Sequence, residues 1–303
     1  MVSERTASGE LLRSYLRRQI QDLAQQVPLV GTDEPQAVHR VRVAARRLRS
    51  VLATYRPALE PRSTDDLRAE LRWLGDVLAG ARDAQVQRRR VEELVRAAPA
   101  EVVAGTAVLA LEEELESRYL AGRADAVAAL AGERFAALVA ALREVADHPP
   151  MAGDRSPPGR EELPLLLERD LGRLRRRVGV AEEAAPAERA RALHDVRKAA
   201  KRLRYAAESA APELGEPALR LASDARQVQD VLGEHHDTVV VRQTVHTVAA
   251  RLPDGAAGFT LGRLHALEEV RAAELEVRYA DLVSELPSWG TSGRWLQTSS
   301  GSR

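Results

Sequence analysis

Three observations predict an all-α fold for this 303-residue chain. Hydrophobic residues make up 45% of it but aromatics only 3%, so a core must be built from leucine, valine and alanine, a palette that favours helices packed closely on helices. Runs of alternating β-branched residues are few, which argues against a large sheet. One amphipathic pattern also occurs twice. VHRVRVAARRLRS, Val38 to Ser50, aligns without a gap on LHDVRKAAKRLRY, Leu193 to Tyr205, 155 residues later. A duplicated helical unit predicts two antiparallel bundles related by an internal pseudo-twofold axis.

In chain order, residues 1 to 9 read as a loose end, and a helix follows over Glu10–Gln26 with Leu12, Leu16, Ile20 and Leu23 as its stripe. Pro28 and Gly31 break it. The first copy of the motif lies on a helix that starts at Thr32 or Asp33, both good N-caps, has Pro35 just inside, and runs to Tyr55. A third helix covers Ser63–Ala79 and ends at Gly80. Asp83 reads as the N-cap of a fourth, Ala84–Ala97, which Pro99 stops. Longer helical stretches cover Glu101–Leu120 and Arg123–Val145. Ala146 to Glu162, ADHPPMAGDRSPPGREE, is rich in Pro and Gly, has no periodicity and reads as the linker between halves.

After the linker the order repeats. Helices are predicted over Glu162–Val178, Ala187–Ala210 with the second copy of the motif, Glu216–Leu232 ended by Gly233, and Asp237–Leu252. Pro253, Asp254 and Gly255 turn the chain into a last helix, Gly258–Leu286, and the tail from 287 to 303 is predicted to be disordered. The duplication reaches past the motif. Leu16 and Arg18 match Leu171 and Arg173 at the same spacing. With one residue dropped, Arg72 matches Arg226, Asp76 to Leu78 match Asp230 to Leu232, and Asp83 matches Asp237.

On a helix at about 100° per residue, offsets 0, 3, 7 and 10 fall within about 80° of arc. His39, Arg42, Arg46 and Arg49 therefore form one ridge, and His194, Arg197, Lys201 and Arg204 form its counterpart. Val41, Ala45, Leu48 and Leu52 fall on the opposite, core side, as do Val196, Ala200, Leu203 and Ala207. Like charges along one ridge repel, and a polyanion is one candidate to offset them. Arg supplies planar, bidentate donors to phosphate oxygens and Lys a point charge, so a row of both suits a phosphate polymer better than a pocket would. Arg18, Arg173, Arg72 and Arg226, on the helices before and after the ridges, are candidates to widen the cationic surface.

Lys plus Arg and Asp plus Glu both total 45, so the formal net charge is zero, and the balance hides segregation: His39 to Arg56 contains no acid. A neutral chain with a concentrated basic face suits a local anionic ligand rather than long-range attraction. There is no cysteine, which excludes disulfides, thiolate catalysis and Cys-ligated metal. No signal core or membrane-length apolar run is present, and a cytoplasmic protein without membrane contact is expected.

The motifs HRVRVAARRLR, LGDVLAGARD, HDVRKAAKRLRY and VQDVLGEHHD, in this order, resemble those of the CHAD family of α-helical histidine-motif domains. The resemblance covers residues 8–286, with a first repeat over about 8–147, a linker over 148–161 and a second repeat over 162–286. It implies two four-helix bundles with extra helices, non-catalytic binding of inorganic polyphosphate along a basic surface or pore, and association with polyphosphate granules. It implies no cofactor. No triphosphate-tunnel module of the kind fused to some members is expected in this chain. By the same resemblance the histidine-led ridges are the polyphosphate-binding residues. The family's LG-x-x-RD falls imperfectly on Leu78 to Asp83, with Ala79 for Gly, and on Leu232, Gly233 and Asp237, with His236 where the first half has Arg82.

Other readings stand beside this one. His39 and His194 are either phosphate donors or helix-start histidines packed on a neighbour. Asp83 and Asp237 read as N-caps, with orientation of Arg or His side chains as a second role. The adjacent His235 and His236 diverge by about 100° on a helix, and only a turn would let them chelate a metal, so no metal is assigned. A nucleic-acid binder shares the phosphate chemistry, but the ridges carry no aromatic except Tyr205. A metal-dependent phosphate-polymer hydrolase would need carboxylates beside the ridge, where only Asp195 lies, on the flank.

Overall fold

The computed structural model describes residues 2–32, 34, 36–153, 158–253 and 255–285. Among these there are ten α-helices, one short 3-10 turn and no strand. The first half holds α1 (Val2–Gly31), α2 (Ala37–Thr54), α3 (Pro61–Val77), α4 (Ala79–Ala97), α5 (Gly105–Ala131) and α6 (Glu133–Asp147). The second holds α7 (Leu163–Glu182), α8 (Pro186–Leu214), α9 (Glu216–Ala249) and α10 (Gly255–Glu285). The expected all-α architecture is present, and α2 packs directly on α8.

Two cores hold the helices together. The larger is built from leucine, valine and alanine on α1, α2, α3 and α6 to α9, with Leu275 and Tyr279 closing it from the end of α10. The smaller takes one hairpin from each half: Val91 of α4 and Leu111 and Leu115 of α5 meet Val241 and Val245 of α9 and Leu261 and Leu264 of α10. The α4–α5 crossing is close enough to need glycine. A Cβ on Gly122 would stand 2.6 Å from the backbone carbonyl carbon of Gly80, so only a residue without one fits.

Several boundaries differ from the sequence reading, each for a local reason. Helix α1 already includes residues 2 to 9 and continues through Pro28, because Val30 is buried, Val27 and Leu29 pack on the core, and Arg123 donates to the Gly31 carbonyl at 3.0 Å. Helix α2 begins at Ala37 behind Gln36, which makes no side-chain cap, and not at Thr32 or Asp33; Asp33 and Pro35 lie outside the described residues. Helix α3 is capped by Glu60, whose carboxylate accepts from Arg62 and Ser63 backbone N–H groups. Gly80 and Gly233 end no helix. Gly80 lies inside α4, and α9 runs unbroken through Gly233 where two helices were expected. The break in the α5–α6 stretch falls at Gly132, not near Leu120. The described part of the linker is pinned at Leu59–Met151, with Glu60 N–H donating to the Pro150 carbonyl at 2.8 Å. Helix α8 passes Pro212 in its last turn and stops at Gly215, whose φ of 67° favours glycine. Asp254 and the predicted disordered tail, 287–303, lie outside the described residues.

Candidate functional site

The apolar side of each motif is buried as its spacing requires. Val41, Ala45, Leu48 and Leu52 of α2 and Val196, Ala200, Leu203 and Ala207 of α8 are each at most 1% exposed. Small side chains on these faces let the two helices approach closely. Ser50 Oγ donates to the Arg202 carbonyl at 3.4 Å, and Arg202 donates to the Ala53 carbonyl at 2.9 Å. With the apolar faces committed to the core, both basic ridges turn into one trough of about 1070 Å³.

Helix α2 lines this trough with His39, Arg42, Arg46 and Arg49. Helix α8 supplies His194, Arg197, Lys198, Lys201 and Arg202. Arg68, Arg72 and Asp76 come from α3, Arg82, Asp83 and Gln87 from α4, and Gln229, His236 and Asp237 from α9. Ten arginine and lysine side chains thus face four aspartates, on a chain whose total balance is zero. Some of the cations are matched: Arg68 by Asp65 at 2.6 Å, Lys198 by Asp195 at 2.9 Å, Arg202 by Asp170 at 2.6 Å, and Arg42 loosely by Asp83 at 3.7 Å. Arg46, Arg49, Arg72, Arg82, Arg197 and Lys201 have no carboxylate within 4 Å among the described residues. Arg46 Nε and Arg197 Nε, and His194 Nδ1 in the tautomer that protonates it, are buried donors with no hydrogen-bond partner among the described residues.

Burial and crowding together shift Lys201, the three trough histidines and Asp237. Burial first, then repulsion from Arg197, Arg46 and Arg42, lowers the Lys201 ammonium to about 6, with Asp237 offsetting part of it. His39 is lowered to about 4 by burial and by Arg82, Arg46 and Arg42. His194 is lowered to about 4 by burial and by Lys198, Arg197 and Lys201. His236, whose ring centroid lies 4.3 Å from that of His194, is lowered to about 4 by burial, His194, Arg197 and Lys201. Burial raises the Asp237 carboxyl, Arg197 opposes the shift and Asp83 adds to it. Arginine keeps its charge throughout this range. At neutral pH fixed guanidiniums therefore line the trough beside three imidazoles and a Lys201 amine held neutral.

Eight of the twelve ridge and flanking residues picked out by the sequence meet here: His39, Arg42, Arg46, Arg49, Arg72, His194, Arg197 and Lys201. Four do not. Arg18 is exposed on α1 over the Tyr15 ring, and Arg173 on α7 lies 3.9 Å from Asp170. Arg226 pairs with Asp230 at 3.3 Å, and Arg204 pairs with Glu208 at 2.7 Å behind Tyr205. Asp83 and Asp237 are not N-caps; they sit inside α4 and α9 and face the trough among its arginines. His235 and His236 lie on a helix and diverge, His235 into the core 3.3 Å from Glu276 and His236 into the trough. No group of three potential metal ligands occurs among the described residues.

Sequence reasoning missed Arg68, Arg82, Lys198 and Arg202 as lining residues. Arg68 carries a readable signal, since it stands one helical turn before Arg72 on the same face. A Cβ on Gly233 would lie 3.4 Å from the Arg197 guanidinium, in ordinary van der Waals contact, so Gly233 lies against that side chain.

The family model of the CHAD domain matches residues 14–246. The chain is 31% identical over 246 residues to Uncharacterized protein Rv2226 of Mycobacterium tuberculosis, covering 79% of this chain and 46% of that protein. It is 30% identical, with the same coverage, to Uncharacterized protein MT2285 of another strain of that species. The chain thus spans about half the length of the curated relatives it matches. Among solved structures it is similar to PptA from Streptomyces chartreusis, with a TM-score of 0.77, 23% identity, and coverage of 91% of this chain and 99% of that one. It is also similar to the CHAD domain from the plant Ricinus communis, with a TM-score of 0.66, 24% identity and coverage of 91% of each chain. At these identities the likeness shows the fold. No helix among the described residues is long and apolar enough to cross a membrane.

Proposed function

The chain belongs to the CHAD domain family, and from that premise we propose that it binds inorganic polyphosphate, without turning it over, in the trough between α2 and α8. The observation that carries this reading is the convergence of the two ridges, with five guanidiniums and the Lys201 amine unmatched by any carboxylate within 4 Å among the described residues. Burying charge without a partner is costly, and a partner supplied from outside removes that cost. A phosphate chain brings one charge per unit and acceptor oxygens for the unpaired Arg46, Arg197 and His194 donors. The proposed binding set is His39, Arg42, Arg46, Arg49, Arg72, His194, Arg197 and Lys201. Residues 8–286 act as one unit in this reading, each repeat contributing one ridge, and recruitment to polyphosphate granules in the cytoplasm follows from the same affinity.

Titration of long-chain polyphosphate at several salt concentrations tests the proposal. Affinity falls steeply and linearly in log–log form with salt, as counterion release requires. Combining Arg46→Glu with Lys201→Glu abolishes binding; undiminished binding by that double variant places the ligand elsewhere. Nucleic acid is disfavoured because, among the described residues, the one Phe, Tyr or Trp lining the trough is Tyr205, which is 4% exposed and carries Arg47 and Arg204 over its ring. Competition between polyphosphate, DNA and RNA at equal phosphate concentration discriminates the two. Phosphate release from polyphosphate in Mg²⁺ would instead revive a hydrolase.

A further inference from the structure

The two ridges end differently. Arg49 on α2 and Arg204 on α8 occupy matched positions in the duplicated motif, as do Arg72 and Arg226 on the following helices. In the first half, Ser50 and Ala53 stand beside Arg49, and both line the trough. Arg49 and Arg72 each lack a carboxylate within 4 Å; Asp76, one turn beyond Arg72, shares the trough wall but pairs with neither. In the second half the matched positions are Tyr205 and Glu208. Glu208 accepts from Arg204 Nε at 2.7 Å and lies 3.4 Å from Arg47. Arg204 also reaches Gln229 at 3.5 Å and lies over the Tyr205 ring. Arg226 turns to Asp230 at 3.3 Å, whereas Arg72 does not pair with Asp76 at the same i,i+4 spacing. One end of the trough therefore shows two unmatched arginines. The other is closed by the buried Tyr205 and by Gln229, with an internally neutralised arginine over the Tyr205 ring.

We infer that the phosphate track has a single open end: it leaves the trough across α2 and α3 over Arg49 and Arg72, and Tyr205 with Glu208 stops it on the α8–α9 side. Glu208 is the determinant. A phosphate approaching Arg204 would have to displace a carboxylate already seated at 2.7 Å and pass the Tyr205 ring, while one approaching Arg49 displaces no paired carboxylate and meets further cations in Arg46, Arg68 and Arg72, with Asp76 the one acid acting on Arg49. The substitution that separates the halves is visible in the sequence as Glu208 against Ala53. The inference rests on the polyphosphate reading and adds direction to it.

The test uses the full chain, long-chain polyphosphate, and matched variants read by affinity and by the slope of log affinity against log salt. Each phosphate contact contributes close to one unit of slope. Arg49→Gln and Arg72→Gln each lower the slope by about one and weaken binding about tenfold, whereas Arg204→Gln and Arg226→Gln leave both unchanged within about twofold. Glu208→Ala, which copies the first half, frees Arg204 and Arg47 and raises the slope. Arg72 and Arg226 are both exposed, so that pair stays informative even where a variant at Arg49 or Arg204 fails to fold. Equal effects at Arg72 and Arg226, whether large or nil, overturn the single open end, as does a Glu208→Ala variant with no gain. Absence of binding by the unaltered chain overturns the polyphosphate reading itself.

Discussion

The trough and the far end of the molecule handle buried charge in opposite ways. At the far end, where α4 and α5 meet α9 and α10, charges are matched. Glu268 is 0% exposed and its Oε1 sits 2.9 Å from Arg90, while its Oε2 makes no hydrogen bond among the described residues. Arg118 binds Glu114 at 2.6 Å and Thr244 at 2.9 Å, Thr244 donates to Gln87 at 2.6 Å, and Arg251 shares Glu114 at 2.8 Å. In the trough, Arg46, Arg197 and Lys201 have no such partners within 4 Å among the described residues. The same chain can therefore match its internal charges and does so away from the ridges. Mismatch at the ridges is what the proposed polyanion would offset from outside.

Removing a partner at the matched end gives the largest expected effect. Arg90→Met leaves Glu268 buried with its charge uncompensated, and breaking such a pair costs about 3–5 kcal/mol. Chemical denaturation should show a lower midpoint with an unchanged m-value. A loss under about 1 kcal/mol would mean that Glu268 is satisfied without Arg90, and the contrast between the two ends would weaken.

Next comes the response to pH, which has one sign in the empty protein and the opposite in the complex. Lys201 sits at about 6 in the fold against an ordinary 10.5, so between those values the unfolded chain binds the extra proton. Stability of the ligand-free protein therefore rises with pH from about 6 to 10.5, and Lys201→Met flattens that window. The imidazoles of His39, His194 and His236, held at about 4 against 6.5, add a rise between those values. A polyanion favours the protonated forms, so its affinity strengthens as pH falls from 8 toward 6, with net proton uptake on binding. Denaturation midpoints across pH, and binding enthalpies in buffers of different ionisation enthalpy, check both signs. Lys201→Arg should bind while losing most of the uptake near neutral pH.

Most of the fold and half of this site were legible because helical periodicity is a local property. The ridge spacing placed His39, Arg42 and Arg46 on one face, and the core residues behind them are buried as expected. Tertiary contact decided the rest. Gly80 and Gly233 look like helix stops, but Gly80 makes room for Gly122 and Gly233 sits inside α9 against the Arg197 guanidinium. Asp83 and Asp237 have the sequence look of caps, yet the helices run through them and leave both facing the arginines. Glu208 stood in plain view four residues after Arg204, a spacing that pairs on a helix. Spacing alone could not decide, because Arg72 and Asp76 share it and do not pair.

The smallest expected effect bears most directly on the contrast. Arg46 adds to the repulsion acting on His39, Arg42, Arg49, Arg82, Arg197 and Lys201. Methionine keeps much of its apolar stem and removes the charge. Where a buried charge is unmatched, its replacement by an apolar residue relieves strain rather than leaving a partner stranded. Arg46→Met should therefore stabilise the ligand-free protein, by about 0.5–1 kcal/mol allowing for partial solvent screening, and should raise the pH at which Lys201 titrates. The same substitution weakens polyphosphate binding, so stability and affinity move in opposite directions. If Arg46→Met destabilises the empty protein as Arg90→Met does, Arg46 is held by contacts as matched as those of Arg90, and the distinction between the two ends fails.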